Sequence, residues 1–361
     1  MKQSPLHERH LARDAKMADF GGWLMPIEYP GAGVLAEHSS VRERVGLFDV
    51  SHLGKVSITG SGSLEFLNQM LTNDLTKIHD GAAQYSMLCN NEGGVIDDLI
   101  VYRNSDSDFF IVPNASNTSA VVADLQSNAP SGIEVKNLHN EYAVIALQGP
   151  LAAKVISHFG LKIEIDYMAF TFVSIAGCDV IVCRTGYTGE YGFEVLPKWD
   201  QALTVWDALI EEVESNGGLA CGLGARDTLR TEMGYPLHGH ELSQEISPVM
   251  ARASWAVGWS KNEFQGSEVL RSQRSGGVAR QLVALKSLDR GIPRPDMQVL
   301  NDGEMVGIVT SGTFSPSLKT GIALALVDSQ YKIGQQLNID VRGRFSNFEI
   351  VKLPFMPSHV R

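Results

Sequence analysis

The segment Thr185-Gly-Tyr-Thr-Gly-Glu-Tyr-Gly-Phe-Glu194 places three glycines ahead of a short run with strand-like alternation. Glycine lets a backbone approach a flat ligand closely because it carries no side chain. In the run from Phe193 to Leu196, Phe193 and Val195 share one face and Glu194 takes the other. A fixed carboxylate accepts paired N–H groups, whether they belong to an aminopyrimidinone ring or to an arginine. The segment therefore predicts a glycine-rich turn and a strand, with Glu194 either in a ligand site or paired with an arginine.

The composition is typical of an ordinary globular protein of two or three domains. The chain has 361 residues, well above the ~100–150 at which single domains cluster. Its 41 acidic and 30 basic residues give a formal charge of −11, which argues against nucleic acid and anionic membranes as partners. No stretch approaches the ~20 apolar residues of a membrane span, and the N-terminus lacks the apolar core of a signal peptide.

The cysteines and histidines give only weak signals of metal binding. The four cysteines show no CxxC spacing, which favours scattered thiols in a reducing compartment and hence a cytoplasmic protein: Cys89, Cys178, Cys183 and Cys221. The cluster His238-Gly-His240-Glu241 lacks a helix that would set its spacing. We expect these histidines to form structural hydrogen bonds in a loop, and we expect no metal.

Strand-like and helix-like patterns alternate irregularly along the chain, which favours the α+β class. Gln84–Leu88 and Val95–Arg103 flank a turn-forming cluster at residues 90–94 and predict a β-hairpin. From about Gly276 onward, short strands punctuated by glycine and proline predict a small all-β unit, with a boundary near Ser275.

The second strand of the predicted hairpin, Val95–Arg103, carries two adjacent acidic residues. Strand alternation puts Asp97 on one face and Asp98 on the other, each among apolar neighbours. A carboxylate in such a position is costly unless it is paired, hydrogen-bonded or neutralised, so the strand is a candidate site. Alternatively, one carboxylate satisfies the turn and the other pairs with a basic residue, and spacing alone does not distinguish the two.

Gly222-Leu-Gly-Ala-Arg226-Asp227-Thr-Leu-Arg230 predicts a helix start with two arginines on one face. Asp227 can pair with Arg230 at i,i+3, most simply as a surface salt bridge. Arg226 lies near the N-terminus of the helix, where the helix dipole disfavours cations, so we expect it to have a partner of its own.

Taken together, the motifs resemble the glycine cleavage T-protein family over nearly the whole chain. They follow the family's order: Phe20–Trp23, Phe48–His52, Gly93–Ile100, Thr185–Glu194, Gly222–Arg230 and Thr310–Pro316. The resemblance implies an α+β, three-domain cloverleaf around a folate channel, with a C-terminal jelly-roll or barrel-like all-β domain. Residues 1–52 with 140–225, and 53–139 with 226–275, would form two interleaved domains, and residues 276–361 the third.

The resemblance also implies an activity and a site. Family members take an aminomethyl group from the lipoyl arm of H-protein, release ammonia and give 5,10-methylenetetrahydrofolate, without a metal. Asp98 would lie nearest the reacting nitrogens of tetrahydrofolate and stabilise developing positive charge. Glu194 would hold the pterin ring. The other positions that match the ligand-lining residues are Tyr85, Tyr102, Asn114, Tyr187 and Arg226, with Arg361 matching an arginine near the end of the family's chain.

Two departures keep an alternative enzyme open. Leu53 stands where many family members have methionine, and Val249–Trp255 differs from the small, acidic stretch that usually follows Ser-Pro in the family. The alternative is a folate-dependent demethylase of the same fold that acts on a sulfonium or methylamine donor. A non-catalytic folate-binding assembly factor is disfavoured, because the segment from Cys183 lacks the Lys-Gly-Cys pattern of those relatives.

Overall fold

The computed structural model describes residues 1–160, 162 and 164–361, and they form a mixed structure of helices, sheets and a barrel. The α-helices are α1 (His7–Leu11), α2 (Gly33–Glu43), α3 (Ser63–Met70), α4 (Thr118–Asn128), α5 (Ala152–Ser157), α6 (Ala202–Ser215), α7 (Leu223–Met233) and α8 (Ser267–Gly276). None of the helices in these residues is long and apolar enough to cross a membrane.

The strands divide into three open sheets and one closed barrel. They are β1 (Lys2–Gln3), β2 (Lys16–Phe20), β3 (Trp23–Glu28), β4 (Gly46–Asp49), β5 (Val56–Thr59), β6 (Ala83–Cys89), β7 (Val95–Ser105), β8 (Asp108–Val112), β9 (Glu134–Asn137), β10 (Ile145–Gln148), β11 (Phe170–Ile175), β12 (Cys178–Cys183), β13 (Gly192–Pro197), β14 (Leu219–Cys221), β15 (Arg280–Ser287), β16 (Gln298–Asn301), β17 (Glu304–Ser315), β18 (Thr320–Asp328), β19 (Gln336–Val341) and β20 (Arg344–Val351). The predicted α+β class is confirmed.

A six-stranded sheet in the order β11-β12-β13-β10-β4-β14 has an apolar core on each face. On one face, Phe193 and Val195 of β13 pack with the buried stripe of α6, which includes Trp206 and Leu209. Glu194 points to the opposite face, as the alternation predicts. That face belongs to a second core that also contains Phe48 of β4.

A five-stranded sheet in the order β6-β7-β8-β5-β9 faces the same second core. The predicted hairpin is confirmed as β6 and β7, paired with Met87 opposite Asp98. Leu99 and Val101 of β7 pack under α3 and α4, while Tyr102 packs in the core shared with the six-stranded sheet. Because β7 alternates, Asp98 and Tyr102 point between the two sheets.

The C-terminal strands close into a barrel in the order β15-β18-β17-β16-β19-β20, and β20 pairs back with β15. The inward side chains fill its interior, among them Leu285, Ala323 and Phe348. The small all-β unit predicted from about Gly276 onward is confirmed as this barrel. The helix α8 ends at Gly276 and the barrel begins at Arg280, and the predicted domain limits remain a prediction.

A buried polar network ties the N-terminal residues to β4. The hydroxyl of Ser4 donates to Asp49 at 2.5 Å, and His10 Nε2 lies 2.8 Å from the same carboxylate oxygen. The hydroxyl of Tyr29 lies 2.9 Å from His10 Nδ1. Burial alone would raise the pKa of Asp49, but the hydrogen bonds and charge of His10 and the bond from Ser4 lower it to about 2. The ionised carboxylate is therefore built into the fold.

We predict that Asp49→Ala lowers the free energy of unfolding by about 3–5 kcal/mol, because it leaves the partners of a buried charge without it. Since the folded pKa lies below the unfolded one, the contribution of Asp49 is complete above about pH 4. It is lost as the pH falls towards 2. Urea unfolding of the wild type and the variant between pH 2 and 7 measures both effects.

The matched control is Asp207→Ala, which breaks the half-exposed pair with Arg9. Exposed ion pairs contribute little, so its unfolding midpoint should stay near that of the wild type. Equal destabilisation by the two variants would contradict the assigned role of Asp49.

Candidate functional site

A cavity of about 240 Å³ opens between the five-stranded and six-stranded sheets. Seven predicted site residues line it: Tyr85, Asp98, Tyr102, Asn114, Tyr187, Glu194 and Arg226. Arg361 does not line the cavity. It is exposed, and its guanidinium carbon lies 5.8 Å from the ring centroid of Tyr167, which is a lining residue.

Asp98 lies on the cavity face of β7 and accepts two hydrogen bonds. The hydroxyl of Tyr85 donates to its Oδ2 at 3.0 Å, and Asn114 Nδ2 donates to its Oδ1 at 2.9 Å. Burial raises the pKa of Asp98, whereas these two donors lower it. The result is a raised pKa, so Asp98 holds a proton more readily than an exposed carboxyl does.

Asp97 lies on the face of β7 opposite Asp98; it is fully buried and does not line the cavity. Its oxygens accept the backbone N–H of Asn114 at 2.8 Å, Asn114 Nδ2 at 2.8 Å and Asn117 Nδ2 at 2.7 Å. Burial and the nearby charge of Asp98 raise its pKa. Among the described residues, neither carboxylate forms a salt bridge, so the alternative that one of them pairs with a basic residue is wrong.

Glu194 projects into the cavity from the six-stranded sheet, across from Asp98. The hydroxyl of Thr185 donates to Glu194 Oε2 at 2.6 Å, and the Thr185 oxygen lies 3.3 Å from the hydroxyl of Tyr102. Thr185 and Glu194 begin and end the glycine-rich segment, so the turn between them brings its two ends together. Among the described residues, Glu194 forms no salt bridge with an arginine, unlike the alternative considered from the sequence.

Arg226 is half-buried, and part of its hydrogen-bonding capacity is unused. Its Nη1 is buried and has no partner in the described chain. Its guanidinium carbon lies 4.8 Å from the ring centroid of Tyr187. Burial lowers the pKa of Arg226 and the charge of Glu194 opposes that shift. A buried guanidinium nitrogen with a free N–H can bind an acceptor from a ligand.

Arg230, one turn further along α7, corrects a sequence expectation. It does pair with Asp227, at 2.7 Å, but it is 2% exposed and does not form a surface salt bridge. Arg230 also donates to Glu241 at 2.9 Å and to Ser311 of the barrel at 2.7 Å. It therefore joins α7 to the barrel at the cavity wall.

Sequence reasoning did not assign three further lining residues: His52, Tyr167 and Trp255. His52 is buried, and burial lowers its pKa to about 3, so its imidazole is neutral at pH 7. Trp255 is 68% exposed and stacks on Tyr85 with centroids 5.1 Å apart. His52 and Trp255 belonged to stretches already singled out, whereas nothing in the local pattern marks Tyr167.

His238 and His240 are loop histidines with structural hydrogen bonds, as expected. His238 Nε2 lies 2.9 Å from the carbonyl oxygen of Val95, and His240 Nδ1 lies 2.7 Å from that of Thr310. Within the described residues, no group of three or more His, Cys, Asp or Glu side chains is arranged to hold a metal.

The cavity can bind a flat polar ring and stabilise positive charge. At one end, the Glu194 carboxylate accepts N–H groups and Arg226 donates; at the other lies Asp98. Tyr102 lies at the Glu194 end, because its hydroxyl is near Thr185. Tyr102 and Asp98 are roughly 13 Å apart along β7, and a bicyclic ring with hydrogen bonds at both ends can bridge that span. The lining includes no serine or cysteine among the described residues. The hydroxyl of Thr185 is already donated to Glu194.

Comparison with known proteins identifies the family. A family model described as the GCVT N-terminal domain matches residues 6–261, and one described as the glycine cleavage T-protein C-terminal barrel domain matches residues 280–356. The chain is 55% identical over 362 residues to a protein named aminomethyltransferase from Parafrankia sp. (strain EAN1pec), covering 100% of this chain and 99% of that one. An aminomethyltransferase of Mycobacterium tuberculosis (strain ATCC 25618 / H37Rv) is 53% identical over 99% of this chain and 97% of its own.

A solved structure gives the same answer for the fold. The crystal structure of glycine cleavage system aminomethyltransferase T from Bartonella henselae superposes with a TM-score of 0.93 at 33% identity, over 99% of each chain. The resemblance found in the sequence motifs is confirmed: the chain belongs to the glycine cleavage T-protein family, whose members are aminomethyltransferases.

Proposed function

We propose that this aminomethyltransferase of the glycine cleavage system binds tetrahydrofolate in the cavity between the two sheets. There it would receive the one-carbon unit from the aminomethylated lipoyl arm of H-protein. One observation carries the assignment: Asp98 and Glu194 project into the same cavity from facing sheets. Glu194 would accept the N–H groups of the pterin ring, and Asp98 would lie beside the nitrogens that react.

The reaction requires proton movement and stabilisation of positive charge. The transferred carbon exchanges its bonds to the donor's sulfur and amino nitrogen for bonds to N5 and N10 of the folate. Each folate nitrogen gives up one proton; one leaves in ammonia and the other in the thiol. Positive charge develops on the carbon during this exchange. The carboxylate of Asp98 would stabilise that charge, most effectively in a site that excludes water.

The remaining candidate residues would orient the folate. Tyr85 and Asn114 fix the two oxygens of Asp98, and Tyr102 supports the Thr185–Glu194 pair. Arg226 would use its free N–H on a ligand acceptor, with Tyr187 against its guanidinium. Arg361, exposed beside Tyr167, would act at the rim. Positioning of this kind accounts for much of the rate gain in transfer between two bound reactants.

The proposed partner and location follow the same assignment. A donor carried on the lipoyl arm requires a docking site for H-protein near the cavity mouth. All four cysteines are unpaired and buried, which supports a reducing compartment such as the cytoplasm. We also propose that the two facing sheets are the cores of the interleaved domains 1–52 with 140–225 and 53–139 with 226–275.

We predict that Asp98→Asn lowers kcat for methylene transfer by at least about 100-fold, because the charge that stabilises the transferred carbon is removed. Tetrahydrofolate affinity should change little, since Asn keeps the shape of the side chain. A single-turnover assay with aminomethylated H-protein measures the transfer, and calorimetry measures the affinity. Near-normal transfer by Asp98→Asn would refute its role.

The same assay distinguishes the alternative enzyme. A folate-dependent demethylase would form 5-methyltetrahydrofolate from a sulfonium or methylamine donor and would ignore H-protein. That result from the wild-type protein would overturn the proposed donor.

We predict that Glu194→Gln mainly weakens tetrahydrofolate binding, by roughly 10- to 100-fold, because charge-assisted hydrogen bonds contribute about 1.5–3 kcal/mol. The matched control is Glu190→Gln: Glu190 lies in the same segment but pairs with Arg42 and His359, outside the cavity lining. Calorimetric titration of both variants provides the comparison. Equal losses would indicate that the segment's fold, and not Glu194, carries the effect.

We predict that Tyr85→Phe moves the acidic limb of the kcat/KM profile to higher pH. The Tyr85 hydroxyl stabilises the ionised form of Asp98, so its removal raises the pKa of Asp98 further. Activity that needs the carboxylate is then lost at a higher pH as the solution is acidified. Tyr102→Phe is the control, because its hydroxyl contacts Thr185 and not Asp98. An unmoved limb in Tyr85→Phe would contradict the assignment.

A further inference from the structure

Asp97 has no part in the proposed chemistry, yet it accepts three hydrogen bonds beside the cavity. Its Oδ2 accepts the backbone N–H of Asn114, and its Oδ1 accepts the carboxamides of both Asn114 and Asn117. It is completely buried and does not line the cavity. A buried carboxylate without a cation is costly, and a merely structural acceptor at this place need not be charged.

The carboxamide of Asn114 is bounded by acceptors. Its Nδ2 lies 2.8 Å from Asp97 Oδ1, 2.9 Å from Asp98 Oδ1 and 3.0 Å from the backbone carbonyl oxygen of Asp98. A carbonyl oxygen can only accept, so the atom that faces these three oxygens must be the nitrogen. Both N–H groups of Asn114 are thus used on the two aspartates.

The other end of the carboxamide is consequently fixed as well. Asn114 lines the cavity, and no described residue donates to its Oδ1. The amide therefore offers the cavity an acceptor and not a donor. Asp97 contributes to this orientation, because it supplies the acceptor for Asn114 Nδ2 on the side away from the cavity.

We propose that Asp97 is a positioning residue that fixes the orientation of Asn114, so that the Asn114 oxygen accepts one of the two reacting N–H groups of the reduced folate. The inference rests on the proposed function, since it states which kind of folate group, a reacting N–H, this part of the cavity binds. It assigns Asp97 a role through Asn114, without contact with substrate.

Asp97→Asn tests the orientation directly. An asparagine at 97 keeps an acceptor for the backbone N–H of Asn114, but it turns a donor towards the Asn114 carboxamide. Two donors then face each other, and the Asn114 amide is no longer held in one orientation. The oxygen presented to the ligand is lost in part or entirely.

The probes are tetrahydrofolate and its 5-deaza and 10-deaza analogues, in which CH₂ replaces one N–H without a change in size. The wild type should bind tetrahydrofolate about 3- to 10-fold more tightly than one of these analogues, the effect of a single neutral hydrogen bond. In Asp97→Asn this ratio should fall to near one, while affinity for that deaza analogue stays within about twofold. A loss from damaged packing would weaken all three ligands equally.

Two further variants keep the test decisive. Asn114→Ala removes the oxygen itself and must also abolish the ratio, even where Asp97→Asn does not fold. Asn117→Ala removes the other carboxamide donor to Asp97 Oδ1 but leaves the Asn114 contact in place, so the ratio should persist. An unchanged ratio in Asp97→Asn or Asn114→Ala, or its loss in Asn117→Ala, would overturn the inference. A wild type that binds tetrahydrofolate with no preference over either analogue also overturns it, and one that binds no tetrahydrofolate overturns the proposed function as well.

Discussion

The enclosure of two carboxylates between facing sheets is the constraint on which the rest of the site depends. Asp98 and Glu194 project into one shared core, where an unsatisfied charge would be severely destabilising. The fold therefore supplies donors to each: Tyr85 and Asn114 to Asp98, and Thr185 to Glu194. These donors occupy only part of each carboxylate's capacity. The remainder is available to a ligand whose N–H groups or positive charge can enter the cavity.

The same constraint explains why Asp98 and Glu194 are far apart in the sequence. Glu194 belongs to the six-stranded sheet and Asp98 to the five-stranded sheet, and neither sheet alone could enclose a ligand. The core they share includes Phe48 from one sheet and Tyr102 from the other. Packing of that core therefore also fixes the separation of the two carboxylates. Mutations in this apolar layer should affect binding as well as stability, since a shift between the sheets changes the span available to the ring.

Period-two alternation was enough to predict several features from the sequence. It gave the opposite faces of Asp97 and Asp98 and the position of Glu194 on β13, while the turn-forming residues 90–94 gave the β6–β7 hairpin. It could not give contacts between distant segments. The donors to Asp97 lie 17 and 20 residues away, beyond β8, and no local pattern connects them to it. The roles of the site residues came from family resemblance, because alternation identifies a face and not its ligand.

Arg226 and Arg230 show why local spacing is an incomplete guide to function. Both lie on α7, one turn apart, and the sequence expectation gave Arg230 an exposed pair with Asp227. In the structure, Arg230 is buried and its guanidinium reaches Asp227, Glu241 and Ser311, so it has little capacity left for a ligand. Arg226 is half-buried, and its buried Nη1 carries an N–H that no described residue accepts. The saturated Arg230 holds α7 against the barrel, while Arg226 keeps an N–H for a ligand. The structural and the ligand-binding arginine are thus distinguished by the partners that distant segments bring to them, not by their positions on the helix.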